Sequence, residues 1–383
     1  MDPITHGLFG ATIAQLGFRQ RIGQGTTVVA VLAAMLPDVD ILIPRLSQVT
    51  GIPLGPFREY LQHRGLTHSA LFVPFMALAV AAAWAGLRFL VRHMRAGGGP
   101  SPGAPECSPD GLPPQPPDSA DRPRPAGFGW LLALCLLALY SHLLLDSFTS
   151  YGTELLSPLT RRRFAVNALP IVDVFFMAIL VLTLTACILI RRKAAPWARK
   201  ATLVAAWSGL GLSLLYMATG AMIGERLAAQ AKAALAAGDA AAYPQIPSIL
   251  VWRVTARTDH FWYAARQNVL FSPPLTPDRF HRAANEDRDA AVTAARELAE
   301  VREFYWFADG QVRPSVTRTG LTKTVTFDDM RYGYRADSLK SMWSFQVTLD
   351  AACRVLAARQ EHRLHDEDRG KMAGRVWQEM WHG

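Results

Sequence analysis

Cysteine is scarce in this chain: Cys107, Cys135, Cys187 and Cys353 are the 4 among 383 residues, and no two have CxxC spacing. That excludes a disulfide framework and a cysteine-held metal site, the more so because Cys135 and Cys187 fall inside apolar stretches. The N-terminus lacks a basic leader and a small-residue cleavage site, so no cleaved signal peptide is expected and His6 is expected in the mature protein. Acidic residues are outnumbered by basic ones, 31 to 40, for a formal net charge of +9. Many of the Lys and Arg residues flank apolar segments, where they act as topology signals, so nucleic acid is not the expected partner. Between Gly97 and Gly127 apolar residues are nearly missing and Pro, Gly, Ser and Asp dominate. Such a composition predicts a disordered loop. Beyond Ile223 the long apolar runs cease and charges recur every few residues.

The hydrophobic half of the composition is therefore concentrated toward the N-terminus, which predicts a membrane-embedded domain over residues 1–223 and an extramembrane domain over 224–383. Ser69 to Leu90, Trp130 to Leu145, Ile171 to Ile190 and Thr202 to Ile223 are long enough, or nearly so, to cross about 30 Å of hydrocarbon as helices. Ile4 to Phe18 and Thr26 to Leu36 are apolar but short, and read as a helical hairpin turning at Arg19 to Gln24. The second half predicts an Ala-rich helix at Glu225 to Ala237, then strands at Ile249 to Ala256, Phe261 to Val269, Lys323 to Phe327 and Trp343 to Leu349. Helices are expected around Glu286 to Arg302, Ala351 to Glu361 and Lys371 to Trp381. The fold class is mainly α: a polytopic membrane helical bundle followed by a small α+β domain.

Orientation follows from the excess of Lys and Arg in short cytoplasmic loops. Arg19 and Arg21, Arg88, Arg92 and Arg95, Arg122 and Arg124, and the basic run from Arg191 to Lys200 all fall on one side under strict alternation of spans. The 97–127 loop is then cytoplasmic, and the domain after Ile223 lies outside. His6, Asp38, Asp40, His63, His68, His142, Asp146 and Asp173 all fall at the outer ends of their helices. Arg161, Arg162 and Arg163 break the charge rule and are expected to mark a place where anionic groups bind.

Ionisable residues near membrane depth are expensive unless they pair, bind metal or serve transport. In SHLLLD, His142 and Asp146 lie four apart and so share a helix face, the spacing by which one helix offers two ligands. In HRGLTHS, Gly65 can turn the chain so that His63 and His68 converge before a span, with Thr67 and Ser69 as helix-capping residues. In LPDVD, alternate carboxylates can serve as ligand and base; Asp40 is expected as the ligand and Asp38 as the base, with the reverse assignment open. Asp173 is expected near the ligands without binding metal itself. His6, His63, His68 and His142 with Asp40 and Asp146 form a nitrogen and oxygen set suited to Zn²⁺, with Mn²⁺ or Fe²⁺ as alternatives, in one or two ions.

DPITHGLFG, LPDVD, HRGLTHS and YSHLLLDSFTSYGTELLSP together resemble the YdjM-like family of inner-membrane metal-dependent hydrolases, over about residues 1–220. That family is distantly similar to bacterial zinc-dependent phospholipases C and fungal zinc nucleases. The resemblance implies that His142 and Asp146 correspond in kind to an HxxxD ligand pair, and His68 with Asp38 or Asp40 to further ligands. It implies phosphodiester cleavage and a multi-pass location in a bacterial inner membrane. The chain departs from the soluble enzymes in its membrane helices and in having no match to their N-terminal Trp ligand.

A site at the outer membrane face, flanked by Arg161 to Arg163 and by Thr149, Ser150, Tyr151 and Thr153, suits the phosphate of a phospholipid or lipid-linked substrate, with membrane lipids as partners. Two other readings are a metal or ion transporter and a non-catalytic scaffold locked by metal. A transporter would place its ligands at the midplane, whereas these gather at one face.

Overall fold

The computed structural model describes residues 1–42, 49–50, 64–96, 127–193, 195–333 and 339–362. His63, the loop expected at 97–127 up to its last residue, and the helix expected at Lys371 to Trp381 lie outside the described residues. Helix α1 (Pro3–Gln15), the short α2 (Phe18–Ile22) and α3 (Thr26–Met35) form the N-terminal hairpin. A 3-10 turn, Leu36–Ile41, continues α3 past Pro37. A second 3-10 turn, Leu66–His68, precedes α4 (Val73–Ala96), which is followed by α5 (Phe128–Ser147), α6 (Val174–Arg192) and α7 (Ala198–Leu235). The last 4 helices are long and apolar enough to cross a membrane.

The bundle has two poles. At one, Arg21 lies over the Trp130 ring at 3.6 Å and Arg88 donates to the Ile22 carbonyl at 3.1 Å. Arg191 also reaches the Gln15 side chain there. The opposite pole collects the start of α1, the end of α3, the start of α4, the end of α5 and the start of α6. Most of the His and Asp candidates thus gather at one pole, where Arg64 and the Arg161 to Arg163 run also lie.

Helix α7 differs from expectation. The Ala-rich stretch after Ile223 is no separate element but the continuation of α7, so the helix runs 38 residues without a break, about 57 Å at 1.5 Å per residue. Glu225 and Arg226 end the apolar run without ending the helix, because both are good helix formers. Close approach at glycines seats this helix: a Cβ on Gly220 would lie 2.2 Å from the Ala168 carbonyl oxygen, and one on Gly209 2.2 Å from the Thr183 hydroxyl.

Two antiparallel sheets follow. The first has the order β1 (Asp239–Pro244), β2 (Val251–Arg257), β3 (Phe261–Asn268), β4 (His281–Ala284); the second has β5 (Val312–Thr319), β6 (Thr322–Asp329), β7 (Trp343–Leu349), β8 (Val355–His362). The expected helix over Ala351 to Glu361 is instead strand β8, paired with β7 from Trp343↔His362 to Leu349↔Val355. Its Ala, Leu, Arg and Glu content favours helix, but the open edge of β7 supplies a ladder that local propensity cannot match. The stretch expected as one helix over Glu286 to Arg302 divides into α8 (Ala290–Arg296) and α9 (Ala299–Phe307), separated by Leu298 in an extended conformation. The apolar core of the bundle continues into the first sheet through Ile249, Trp252 and Val254, while α8, α9 and the second sheet enclose a core of their own.

Candidate metal centre

Local rules place each side chain at the pole. Asp2 caps α1 by accepting the Thr5 N–H at 3.0 Å, with Pro3 in the first turn, and this sets His6 on the inner face. Pro37 tightens the end of α3 into the 3-10 turn that carries Asp38 and Asp40. The turn expected at Gly65 is taken one residue earlier, at Arg64, whose φ of 69° is left-handed. His68 follows at the end of the second 3-10 turn. His142 and Asp146 share the inner face of α5, one turn apart.

The side chains of His68, His142 and Asp146 are fully buried, and that of Asp38 is 9% exposed. One ligand atom from each of these residues falls within 4.8 Å of all the others. His68 Nε2 and His142 Nε2 lie 3.0 Å apart, and Asp38 Oδ1 is 3.5 Å from each. Asp146 Oδ2 is 3.4 Å from His68 Nε2 and 3.6 Å from His142 Nε2. Four ligands at about 2.0–2.2 Å around a tetrahedral ion are roughly 3.3–3.6 Å from one another, and the four carboxylate–imidazole separations here fall at 3.4–3.6 Å.

The far side of each ring fixes its proton. His142 Nδ1 lies 2.7 Å from the Ala34 carbonyl oxygen, which accepts its N–H. His68 Nδ1 lies 3.2 Å from Asp40 Oδ2, and the Thr67 hydroxyl donates to the same oxygen at 2.6 Å. With both rings neutral and protonated on Nδ1, each turns an Nε2 lone pair toward the same point, an arrangement that a cation between them would satisfy. Asp38 Oδ2 and Asp146 Oδ2 have no hydrogen-bond partner among the described residues. Two imidazole nitrogens and two carboxylate oxygens thus converge on one point, so the residues present fit a metal.

The geometry of the LPDVD carboxylates follows the reverse assignment left open from the sequence. Asp38, expected as the base, contributes an oxygen to the cluster. Asp40, expected as a ligand, stands behind His68 and also accepts the Arg64 N–H at 3.2 Å. His6 is not one of the four: its ring stacks on His142 at 3.7 Å, and its Nε2 lies 3.2 Å from Asp146 Oδ1.

Arg64 was not singled out from the sequence, where a basic residue beside a span reads as a topology signal. It is buried, with Nη2 3.1 Å from Asp146 Oδ1 and Nη1 donating to the Thr149 hydroxyl at 3.2 Å and the Gly152 carbonyl at 3.1 Å. The Met1 amino group also contacts Asp146 Oδ1. One oxygen of Asp146 therefore faces the imidazoles and the other is already charge-balanced.

The remaining candidates sit further out. Ser69 donates to the Ser157 carbonyl and accepts from the Leu71 N–H at 3.2 Å, which ties α4 to the loop after α5. Asp173 caps α6, accepting the N–H groups of Phe175 at 3.0 Å and Phe176 at 2.9 Å, and takes the Tyr216 hydroxyl at 2.9 Å. It does not reach the cluster.

Arg161 pairs with Glu303 at 2.7 Å and lies over the Trp306 ring at 4.2 Å. Arg163 donates to the Tyr151 and Gly152 carbonyls and lies over Tyr151 at 4.9 Å. Ser150 gives its carbonyl to Arg331 at 2.9 Å, and the Tyr151 ring carries the Arg64 guanidinium at 4.6 Å. Of the basic run, Arg162 alone is exposed; Arg161 and Arg163 fasten the C-terminal region to this pole. Burial raises the Glu154 carboxyl to about 7 against the opposing pull of Arg161 and Arg163, and burial lowers Arg163 to about 10.

A family model described as YdjM inner membrane protein matches residues 1–227. No curated protein and no solved structure matches the chain.

Proposed function

This chain belongs to the YdjM inner membrane protein family, and from that premise we propose that it is a multi-pass metal-dependent hydrolase cleaving a phosphodiester or ester of a phospholipid or lipid-linked phosphate. The observation that carries the reading is the pair of converging Nε2 atoms of His68 and His142, completed to four ligands by Asp38 and Asp146. Nitrogen and oxygen donors in that geometry favour Zn²⁺, with Mn²⁺ or Fe²⁺ as alternatives. One ion is the reading we adopt over two, because Arg64 already neutralises the far oxygen of Asp146.

A divalent ion held there would supply Lewis acidity, acidifying water and neutralising charge that develops on a phosphoryl or carbonyl oxygen. The protein supplies the rest. Asp40 and the Ala34 carbonyl hold the rings in one tautomer. Asp38 is the least buried of the four, and its Oδ2, without a hydrogen-bond partner among the described residues, would take a proton from attacking water and pass it to the leaving alkoxide as the ester bond breaks. Arg162, facing outward, would meet anionic head groups. The basic pole would face the cytoplasm, and the metal pole with the two sheets the periplasm.

A closed ion that only locks the helices is the second reading, and the burial of His68, His142 and Asp146 favours it, since structural ions have four protein ligands. Substitution separates the two. In the hydrolase, His142→Ala loses both metal and activity, while Asp38→Ala keeps the ion on the three remaining ligands and loses turnover. Metal analysis and a lipid phosphodiester panel read both outcomes. An Asp38→Ala protein without metal, together with no cleavage by the wild type, overturns the hydrolase in favour of the locked ion.

A further inference from the structure

A cavity of about 700 Å³ opens between α3 with its following 3-10 turn and α4. Its walls include Val29, Leu32 and Met35 on one side and Val80, Trp84 and Leu87 on the other, and Asp38 is the one charged side chain lining it among the described residues. The wall positions on α4 recur at the i, i+3, i+4, i+7 spacing of one helix face through Ala83, and they span about 10 Å at 1.5 Å per residue. Leu32, Val39, Leu42 and Leu87 remain between 50% and 55% exposed. In a membrane protein such surfaces meet hydrocarbon. The volume is that of a ligand pocket rather than a packing flaw.

The polarity is graded along the cavity. Asp38 stands where α3 ends, at the metal pole; the body runs from there down the flank of the bundle toward the basic pole. An amphiphile lying in it has its polar group at the cluster and its chain in apolar surroundings, the orientation of a lipid in one leaflet. We propose that this cavity seats one hydrocarbon chain of the substrate lipid, which enters sideways from the bilayer between α3 and α4 and is thereby positioned with its ester at Asp38. This rests on the hydrolase reading for the substrate but not for the binding. The Trp84 ring in this wall is held against Gly25, where an added Cβ would be 2.5 Å from the ring.

The test uses the full-length zinc-loaded protein in phosphatidylglycerol nanodiscs carrying a trace of phosphatidylglycerol with a diazirine in one acyl chain. Illumination and peptide mapping are expected to place the label on Leu32, Trp84 or Leu87. Ala83→Trp and Leu32→Phe, which fill the cavity from opposite walls, are expected to cut that labelling at least tenfold with metal content unchanged. On the catalytic side, each should lower kcat/KM for long-chain lipid at least tenfold more than for bis(p-nitrophenyl) phosphate. Labelling that maps to other faces, or that survives both substitutions, overturns the proposal, as does a chemical cross-link showing a second copy of the chain on these residues. If no substrate is cleaved but the labelling behaves as expected, the chain site stands and the hydrolase reading falls.

Discussion

Asp40 holds the Nδ1 side of His68 at 3.2 Å, and so turns the Nε2 of that ring toward Asp38 and His142. A carboxylate behind a ligating imidazole fixes the tautomer and raises its basicity. Asp40→Ala is therefore expected to weaken zinc binding about 10- to 100-fold without abolishing it, whereas His68→Ala abolishes it. Competition with a fluorescent zinc chelator measures both.

Arg64 and the Met1 amino group hold one oxygen of Asp146, and a bound ion would meet the other. Arg64→Leu leaves buried Asp146 with the Met1 amino group as its remaining cationic partner among the described residues when the metal is stripped, which is expected to destabilise the fold. The loss in apparent Tm relative to wild type should be larger in EDTA than with zinc bound, and zinc affinity should rise. Equal losses in both conditions would show that Arg64 acts by packing alone.

Gly10 sets the distance between α1 and α3: a Cβ there would lie 2.7 Å from the Ala30 carbonyl oxygen and 2.7 Å from the Ala34 Cβ. The Ala34 carbonyl is the acceptor for His142, so Gly10→Val is expected to weaken metal binding at least tenfold and destabilise the bundle by about 1–3 kcal/mol. Gly129→Ala on α5, with nothing within 4 Å of the added Cβ, serves as the neutral control.

Glu154 supplies a pH signature. Its folded carboxyl is raised from an ordinary 4.5 to about 7, so the folded state holds the proton more tightly than the unfolded chain. Stability is full below the unfolded value and falls as pH rises through that window. Glu154→Gln should flatten the decline in apparent Tm between pH 5 and pH 8 and raise stability at the upper end. A variant with the wild-type slope would assign the decline to another group.

The spans, the shared face of His142 and Asp146, and the collection of His and Asp at one pole were legible because hydropathy, the 3.6-residue period and loop charge are local signals. The parts played by Asp38 and Asp40 were not: alternate residues of a 3-10 turn diverge, and only the packing of α3 against His68 decides which carboxylate faces inward. Arg64 was missed because burial of a guanidinium depends on Asp146, 82 positions away in sequence. Strand β1 gave no β signal, since three of its six residues are Ala, and β8 was misread because its partner edge is tertiary.

The unbroken run of α7 from the basic pole into the first sheet couples azimuth to chain length. Each residue added to a helix turns whatever follows by about 100° and lifts it by about 1.5 Å. Gly220 against Ala168 and Gly224 against the Trp252 ring key the helix to its surroundings within one turn. The sheets are thus indexed to the metal pole like a key on a shaft: a single inserted residue between those glycines would swing Trp252 and its sheet out of phase with the Arg161 to Glu303 tie, even with every ligand of the cluster left in place.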